Sequence, residues 1–453
     1  MPSGPQSGHK RIDVPPTPAH TINTTLPAAV AIYRQACPQC DLLLARIEPT
    51  PGNCARCPRC GCLLASSSDS HVTTILLLCL TGILLYFPTI LSPILSMDFL
   101  WMKESGTIVE SVVGLFKADY PLVSLAVLLM VVVFPALLLI SLGVVSLAIK
   151  LRRVSRGTAR LFRLALALDE WTMVDVFLVG ILVMIFKMSD SAEMEFGGGF
   201  LSCLALALTL ISLSTLCDHR LFWRRIGQRG TDDSSDWMSP ASAMPTSPAI
   251  TAAEAGLALC PACRQLQKPA AACKRCGGPL RQRHDGLASC WAFLITAALL
   301  LIPANLLPIM EVESLGQISS STIIGGILYF FEEGNYLIGM IIFVASVLVP
   351  IVKIIALATL LITAQGWHLA MLREKTTLYR FISLIGRWSM LDIFVIALLN
   401  AMVQFGMLSS VRVAPAATWF CLVVAMTMLA TNFFDPRLMW DAANGPTRNE
   451  YSH

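Results

Sequence analysis

Apolar runs bounded by polar segments mark the chain at about 72–96, 120–148, 171–188, 198–217, 289–310, 337–363, 386–407 and 414–434. A helix of roughly 20 residues spans the hydrocarbon core of a bilayer. The pattern therefore predicts an all-α polytopic membrane protein of eight transmembrane helices, with the third run the shortest. The runs form two groups of four that repeat at an offset of 215 to 217 residues (303 minus 88, 388 minus 171). Pro88, Pro93 and Ile94 answer Pro303, Pro308 and Ile309, and Thr107-Ile108 answers Thr322-Ile323. Pro135 answers Pro350; Trp171, Asp175 and Phe177 answer Trp388, Asp392 and Phe394; Asp218 and Trp223 answer Asp435 and Trp440. Ordered polar and proline matches across four segments mark a duplicated module. Each copy has an even number of spans, so the copies are parallel rather than inverted.

Composition agrees with the pattern: 55% of the 453 residues are hydrophobic and only 14% are charged, against about a quarter charged in a soluble domain. The net charge of +4 says little; its placement says more. Lys150, Arg152, Arg153, Arg156, Arg160 and Arg163 follow the second run, Arg220, Arg224, Arg225 and Arg229 the fourth, and Arg373, Lys375, Arg380 and Arg387 the sixth. The opposite loops carry Asp98, Glu104, Glu110, Asp190, Glu193, Glu195, Glu311, Glu313, Glu332 and Glu333. Positive loops stay in the cytosol, which predicts cytoplasmic termini. The expected organisation is a disordered tail at 1–34, a cysteine-bearing domain at 35–66, a four-helix module at 71–226 and a flexible linker at 227–256. A second cysteine domain at 257–283, a second four-helix module at 287–440 and a tail at 441–453 complete it. Residues 1–33 have no apolar core that would make a signal peptide.

Ten of the fifteen cysteines cluster outside the apolar runs. Cys260, Cys263, Cys273 and Cys276, two CxxC turns nine residues apart, match a zinc-ribbon site, and Gly277 permits the tight turn after the last of them. The repeat selects Cys37, Cys40, Cys57 and Cys60 in the first cluster, with Gly61 matching Gly277 and with Cys54 and Cys62 as spare or alternative ligands. In a reducing cytosol such pairs favour metal over disulfides. Two structural Zn2+ ions are expected; iron is the alternative, because the same turns bind it. No basic and aromatic surface accompanies the ribbons, so no nucleic acid partner is expected.

Within the spans, Lys353 stands out. It lies about ten residues, roughly 15 Å of helix, from the end of its run, so its head group is expected to face the bundle interior. Ser346, seven residues earlier, shares its face. Leu138 occupies the matching position in the first copy. Ser389 and Asp392 share a face of the next run and support two readings: a capping box, or a buried acid paired with Lys353. Thr172 and Asp175 fit the capping box. Thr427 stands within the last run, placed to add a hydroxyl to such a network. Pro88, Pro93, Pro303 and Pro308 also leave two readings open, a helix end or a functional break in the helix.

No phosphate-binding loop, HExxH, GxSxG or dinucleotide fingerprint is present, and no enzymatic activity is expected. Taken together, the two ribbon-plus-four-span units, the segment Asn305–Met310, the segment Trp388–Phe394 and the segment Asp435–Trp440 resemble the paraquat-inducible protein A family over roughly 35–225 and 258–440. The long proline-rich N-terminus, the surplus Cys54 and Cys62 and the linker depart from that family's pattern. The resemblance implies a bacterial inner-membrane protein paired with a periplasmic MCE-domain protein, moving phospholipids between the two membranes. It also implies a lipid cavity, and Ser346, Lys353, Ser389, Asp392 and Thr427 match the family's polar cluster, which favours the network reading of Asp392. A membrane redox protein and a stress-linked scaffold are the competing functions.

Overall fold

A computed structural model describes residues 11–13, 33–45, 54–66, 71–99, 102–188, 193–227, 251–280, 283, 286–314, 317–367, 369–402 and 409–443. The expected N-terminal tail and linker lie largely outside them. Among the described residues, seven helical stretches are long and apolar enough to cross a membrane: Val72–Leu91, Pro121–Lys150, Gly198–Leu216, Leu287–Leu306, Gly339–Ala364, Leu372–Leu399 and Ala416–Phe433. The third apolar run forms the helix Val174–Met188, whose 15 residues reach only about 22 Å. Its counterpart, Leu391–Met402, is the apolar end of the longer stretch that begins at Leu372. These two short helices pack against each other where the halves meet. The rings of Phe177 and Phe394 meet edge to face at 5.7 Å, and Gly180 lets the backbone approach Phe394 and Val395. Almost every described side chain from Leu391 to Leu399 is buried. A helix apolar all round belongs in the interior, and one shielded from lipid need not match the bilayer thickness.

In each half the first and fourth spans pack together, Val72–Leu91 on Gly198–Leu216 and Leu287–Leu306 on Ala416–Phe433. Pro88 and Pro303 lie in the last turn of the first span, and Ser92 and Leu307 donate back to their carbonyls. The prolines thus mark a helix end, and the chain passes directly into a β-hairpin. Leu95–Phe99 pairs antiparallel with Met102–Gly106 on one side and with Glu193–Phe196 on the other. Met310–Ser314 pairs likewise with Gln317–Ser321 and Ser409–Val413. Each half therefore carries a three-stranded sheet at the end of its spans away from the cysteine domains, a feature the hydrophobic pattern does not announce. A short helix follows each hairpin: Ile108–Lys117, held by the Thr107–Glu110 capping box, and Ile323–Glu332, capped by Thr322. The fourth span is tied to the first by a backbone bond, Gly199 N to Pro93 O in one half and Ala416 N to Pro308 O in the other, both 3.0 Å. A Cβ at Gly197 would stand 2.1 Å from the Pro93 carbonyl oxygen, so glycine is required there, whereas the second half accommodates Ala414.

Both second spans contain one π turn, Leu128–Val133 and Phe343–Leu348. The cause is legible in the residues. Pro135 and Pro350 lack the N–H that the carbonyl four residues earlier requires and clash with that carbonyl. The turn widens to i→i−5 bonds, Phe134 N to Leu129 O and Val349 N to Val344 O. In the first half Tyr86 Oη donates to the Val132 carbonyl in this turn, at 2.8 Å. The second half has Leu301 at the matching position.

Candidate functional site

Four near-identical knuckles hold the clustered cysteines. In each, the residue after the second cysteine takes a left-handed conformation: Asp41 (φ 58°), Gly61 (71°), Arg264 (54°) and Gly277 (66°). Its N–H returns to the carbonyl of the first cysteine, while the N–H of that first cysteine bonds a carbonyl five residues on, as in Cys57 N to Cys62 O and Cys273 N to Gly278 O. The knuckles pair to bring together the Sγ atoms of Cys37, Cys40, Cys57 and Cys60, and those of Cys260, Cys263, Cys273 and Cys276, all within 4.8 Å of one another in each set. Tetrahedral thiolates on zinc stand roughly 3.8 Å apart, given metal–sulfur bonds of about 2.3 Å. Both quartets could hold a metal ion. Cys54 and Cys62 lie outside the first quartet, and the Cys62 thiol donates to the Leu63 carbonyl. Hydrogen bonds led by Cys37 hold Cys60 down at about 4, and those led by Cys263 hold Cys260 at about 7. Cys37 and Cys263 are pushed up, chiefly by their bonds to Cys40 and Cys260. A quartet that shares protons in this way releases them when a cation arrives.

The left-handed Asp41 has a second role. Its buried carboxylate lies 2.9 Å from Arg283 and 3.8 Å from Arg437, and it accepts from the Ala253 N–H at 3.0 Å. Arg283 also pairs with Asp441, and Arg437 with Asp435 at 2.8 Å. Burial pushes the Asp41 carboxyl up, opposed by Arg283 and Arg437. The two cysteine domains, the entry to the fifth run and the last helix, Arg437–Ala443, are thereby joined through one acid.

The second candidate is the buried polar set in the second half. Lys353 is 3% exposed, and its Nζ donates to Thr427 Oγ1 at 3.0 Å. The Thr427 hydroxyl in turn donates to the Val424 carbonyl at 2.9 Å. Ser346 lies on the π turn, on the Lys353 face, and Ser389 lies in the 3-10 turn Gly386–Met390; both hydroxyls are buried without a partner among the described residues. Gly386 admits the lysine: a Cβ there would stand 3.2 Å from Nζ. This glycine escapes sequence reasoning, because nothing local marks it as facing a cation. Asp392 is the second residue of Leu391–Met402, and its side chain, with the expected Lys353 pairing, lies outside the described residues. The helical run through Gly386–Met390 into Leu391–Met402 begins well before Ser389, as that pairing requires.

The capping expectation at Thr172 is corrected. Its hydroxyl donates to the Leu168 carbonyl at 2.9 Å, closing the helix Arg156–Trp171 rather than opening Val174–Met188. The cap motif is local, and it cannot register that another helix ends one residue earlier. In the first half the positions of Ser346, Lys353 and Thr427 are held by Val131, Leu138 and Leu210, all buried. Ser389 and Asp392 keep polar counterparts in Thr172 and Asp175, so Ser346, Lys353 and Thr427 are the part of the set that belongs to one half only.

Comparison with known proteins places this geometry among relatives. A family profile described as paraquat-inducible protein A matches residues 72–227 and 287–444. An Escherichia coli (strain K12) protein named intermembrane transport protein PqiA is 34% identical over 409 residues, covering 89% of this chain and 95% of that one. The lipophilic envelope-spanning tunnel protein A of the same strain is 32% identical over 412 residues, 90% and 91% of the two chains. A Haemophilus influenzae protein named probable intermembrane transport protein is 28% identical over 416 residues, 89% and 95% of the two. No solved structure matches the chain.

Proposed function

This chain belongs to the paraquat-inducible protein A family, and from that premise we propose that it is the inner-membrane subunit of an intermembrane lipid transport system. In this reading it works with a periplasmic MCE-domain protein and passes phospholipid through a polar cavity in its second half. The observation that carries the reading is the Lys353 ammonium, buried on Thr427, in a half where the hydroxyls of Ser346 and Ser389 are also buried and have no partner among the described residues. A buried cation is costly unless it is satisfied. An ammonium has three donors, and Thr427 takes one. A phosphodiester headgroup is an anion with acceptor oxygens and suits what is left, with Ser346 and Ser389 placed to donate as well. Asp392 completes the set as a proton-exchanging partner of the lysine. The names of the relatives, intermembrane transport protein and lipophilic envelope-spanning tunnel protein, support transport as the activity.

The basic loops support a cytosolic side for the knuckles and a periplasmic side for the sheets. Zinc fits both quartets: four thiolates close the coordination sphere and leave no open position for chemistry. Cys37, Cys40, Cys57, Cys60, Cys260, Cys263, Cys273 and Cys276 are then structural ligands. Purification from mild detergent tests the reading. We expect phospholipid and an MCE-domain protein to accompany the chain, together with two equivalents of colourless zinc. Recovery of the intact chain with neither lipid nor MCE protein overturns it, and iron with visible absorbance turns the assignment toward a redox role.

A further inference from the structure

The knuckles do not sit beneath the halves they precede. The first, which leads into the first four spans, lies against the second half. Arg380, on the helix Leu372–Ile385, donates through Nε to Gln39 Oε1 at 2.7 Å and through its other nitrogens to the carbonyls of Cys60 and Gly61. The Arg59 guanidinium lies 4.5 Å over the ring of Trp440, which shares a buried cluster with Cys37, Cys40, Cys57 and Cys60. One bond runs the other way, from Arg220 to the Leu64 carbonyl. The second knuckle pair lies against the first half, although Arg283, just beyond it, reaches Asp441 of the second half. A Cβ at Gly278 would stand 2.6 Å from the Arg163 guanidinium, on the helix Arg156–Trp171, and one at Gly227 would stand 2.9 Å from Arg275 Nε.

We propose that the knuckles are crossed braces: the metal held by the first quartet fixes the second half, and with it the lysine site, while the metal held by the second quartet fixes the first half. The path in the second half is short, a covalent stretch of chain between two contacts. Cys60 and Gly61 fix Arg380; Arg380 fixes Leu372–Ile385; that helix runs directly into the 3-10 turn that carries Ser389 and packs Gly386 on Lys353. Without metal, the carbonyls of Cys60 and Gly61 lose the fixed turn that presents them to Arg380. The metal thus regulates the polar site while remaining closed to substrate. This goes beyond the transport reading and does not depend on what the site carries.

Hydrogen exchange on the purified full-length chain tests the crossing. Cys57→Ser should quicken exchange in 372–385 about tenfold, the scale of losing one charge-assisted hydrogen bond, and leave 156–171 unchanged. Cys273→Ser should show the reverse. Arg380→Ala should quicken 372–385 with both metals still bound, which separates loss of the brace from misfolding of the knuckle. Effects confined to the half that follows each mutated knuckle, equal effects on both halves, or no change in 372–385 in Arg380→Ala overturn the proposal.

Discussion

Lys353→Met is expected to leave the protein folded and inserted and, if it transports lipid as proposed, to weaken that transport. Methionine matches the length of the lysine stem and removes the charge. An ammonium buried at 3% exposure is a desolvated group with a standing cost, and an acid that exchanges protons with it can be neutralised once the lysine is gone, so the unfolding midpoint should change little at a pH where that acid is protonated. The matching residue in the first half, Leu138, is buried and apolar, so the fold tolerates an uncharged side chain there. The function should not. A charge-assisted bond to a phosphate is worth about 1.5–3 kcal/mol, so affinity for phospholipid should fall about ten- to a hundredfold and bound phospholipid per chain should fall with it. Outer-membrane barrier function should fall with it at unchanged expression. Lipid analysis of the purified variant beside wild type reads the first effect, and sensitivity of cells to a large hydrophobic antibiotic reads the second. Full lipid content in Lys353→Met would remove the lysine from the transport path.

Serine in place of one quartet cysteine is expected to have the largest effect on stability. A four-thiolate zinc site supplies roughly 10–16 kcal/mol in small domains, and each cysteine domain here is a pair of knuckles with little core of its own. Cys37→Ser or Cys260→Ser should reduce bound metal from two equivalents to one and lower thermal stability by several kcal/mol. Cys54→Ser and Cys62→Ser, outside the quartet, should retain both metals. Protons compete with the metal for the sulfurs, so occupancy should be complete at neutral pH and fall on acidification. Metal analysis of the variants and a pH series on wild type check both expectations. Loss of metal in Cys62→Ser would move the ligand set by one residue.

The spans, the duplication and the quartets were legible because each is written in local residue types. Length and hydropathy define a span, matched prolines and tryptophans define the copies, and CxxC spacing defines the knuckles. The π turns were half legible, since Pro350 and the residue four before it, Ser346, stand in plain sight. The sheets were not, because Leu95–Phe99 finds Glu193–Phe196 across two spans, and no short pattern records a partner so distant. The crossing of the knuckles was hidden for the same reason: Arg380 meets Gly61 across 319 residues. The motif Ser389-Met390-Leu391-Asp392 could be read as a cap only while its surroundings were unknown. A helix leads into it through a 3-10 turn, where the Leu391 N–H bonds the Trp388 carbonyl, so Ser389 does not stand at the start of a helix.

The central claim is that lipid enters an enclosed polar site built on Ser346, Lys353 and Thr427, whose counterparts in the other half, Val131, Leu138 and Leu210, are apolar. Photocrosslinking reads this directly, because the duplication supplies its own control. A photoreactive residue at Ser346 should capture phospholipid in intact cells, and the same residue at the matching Val131 should not. Equal capture at both positions, or capture at Val131 alone, would contradict the account.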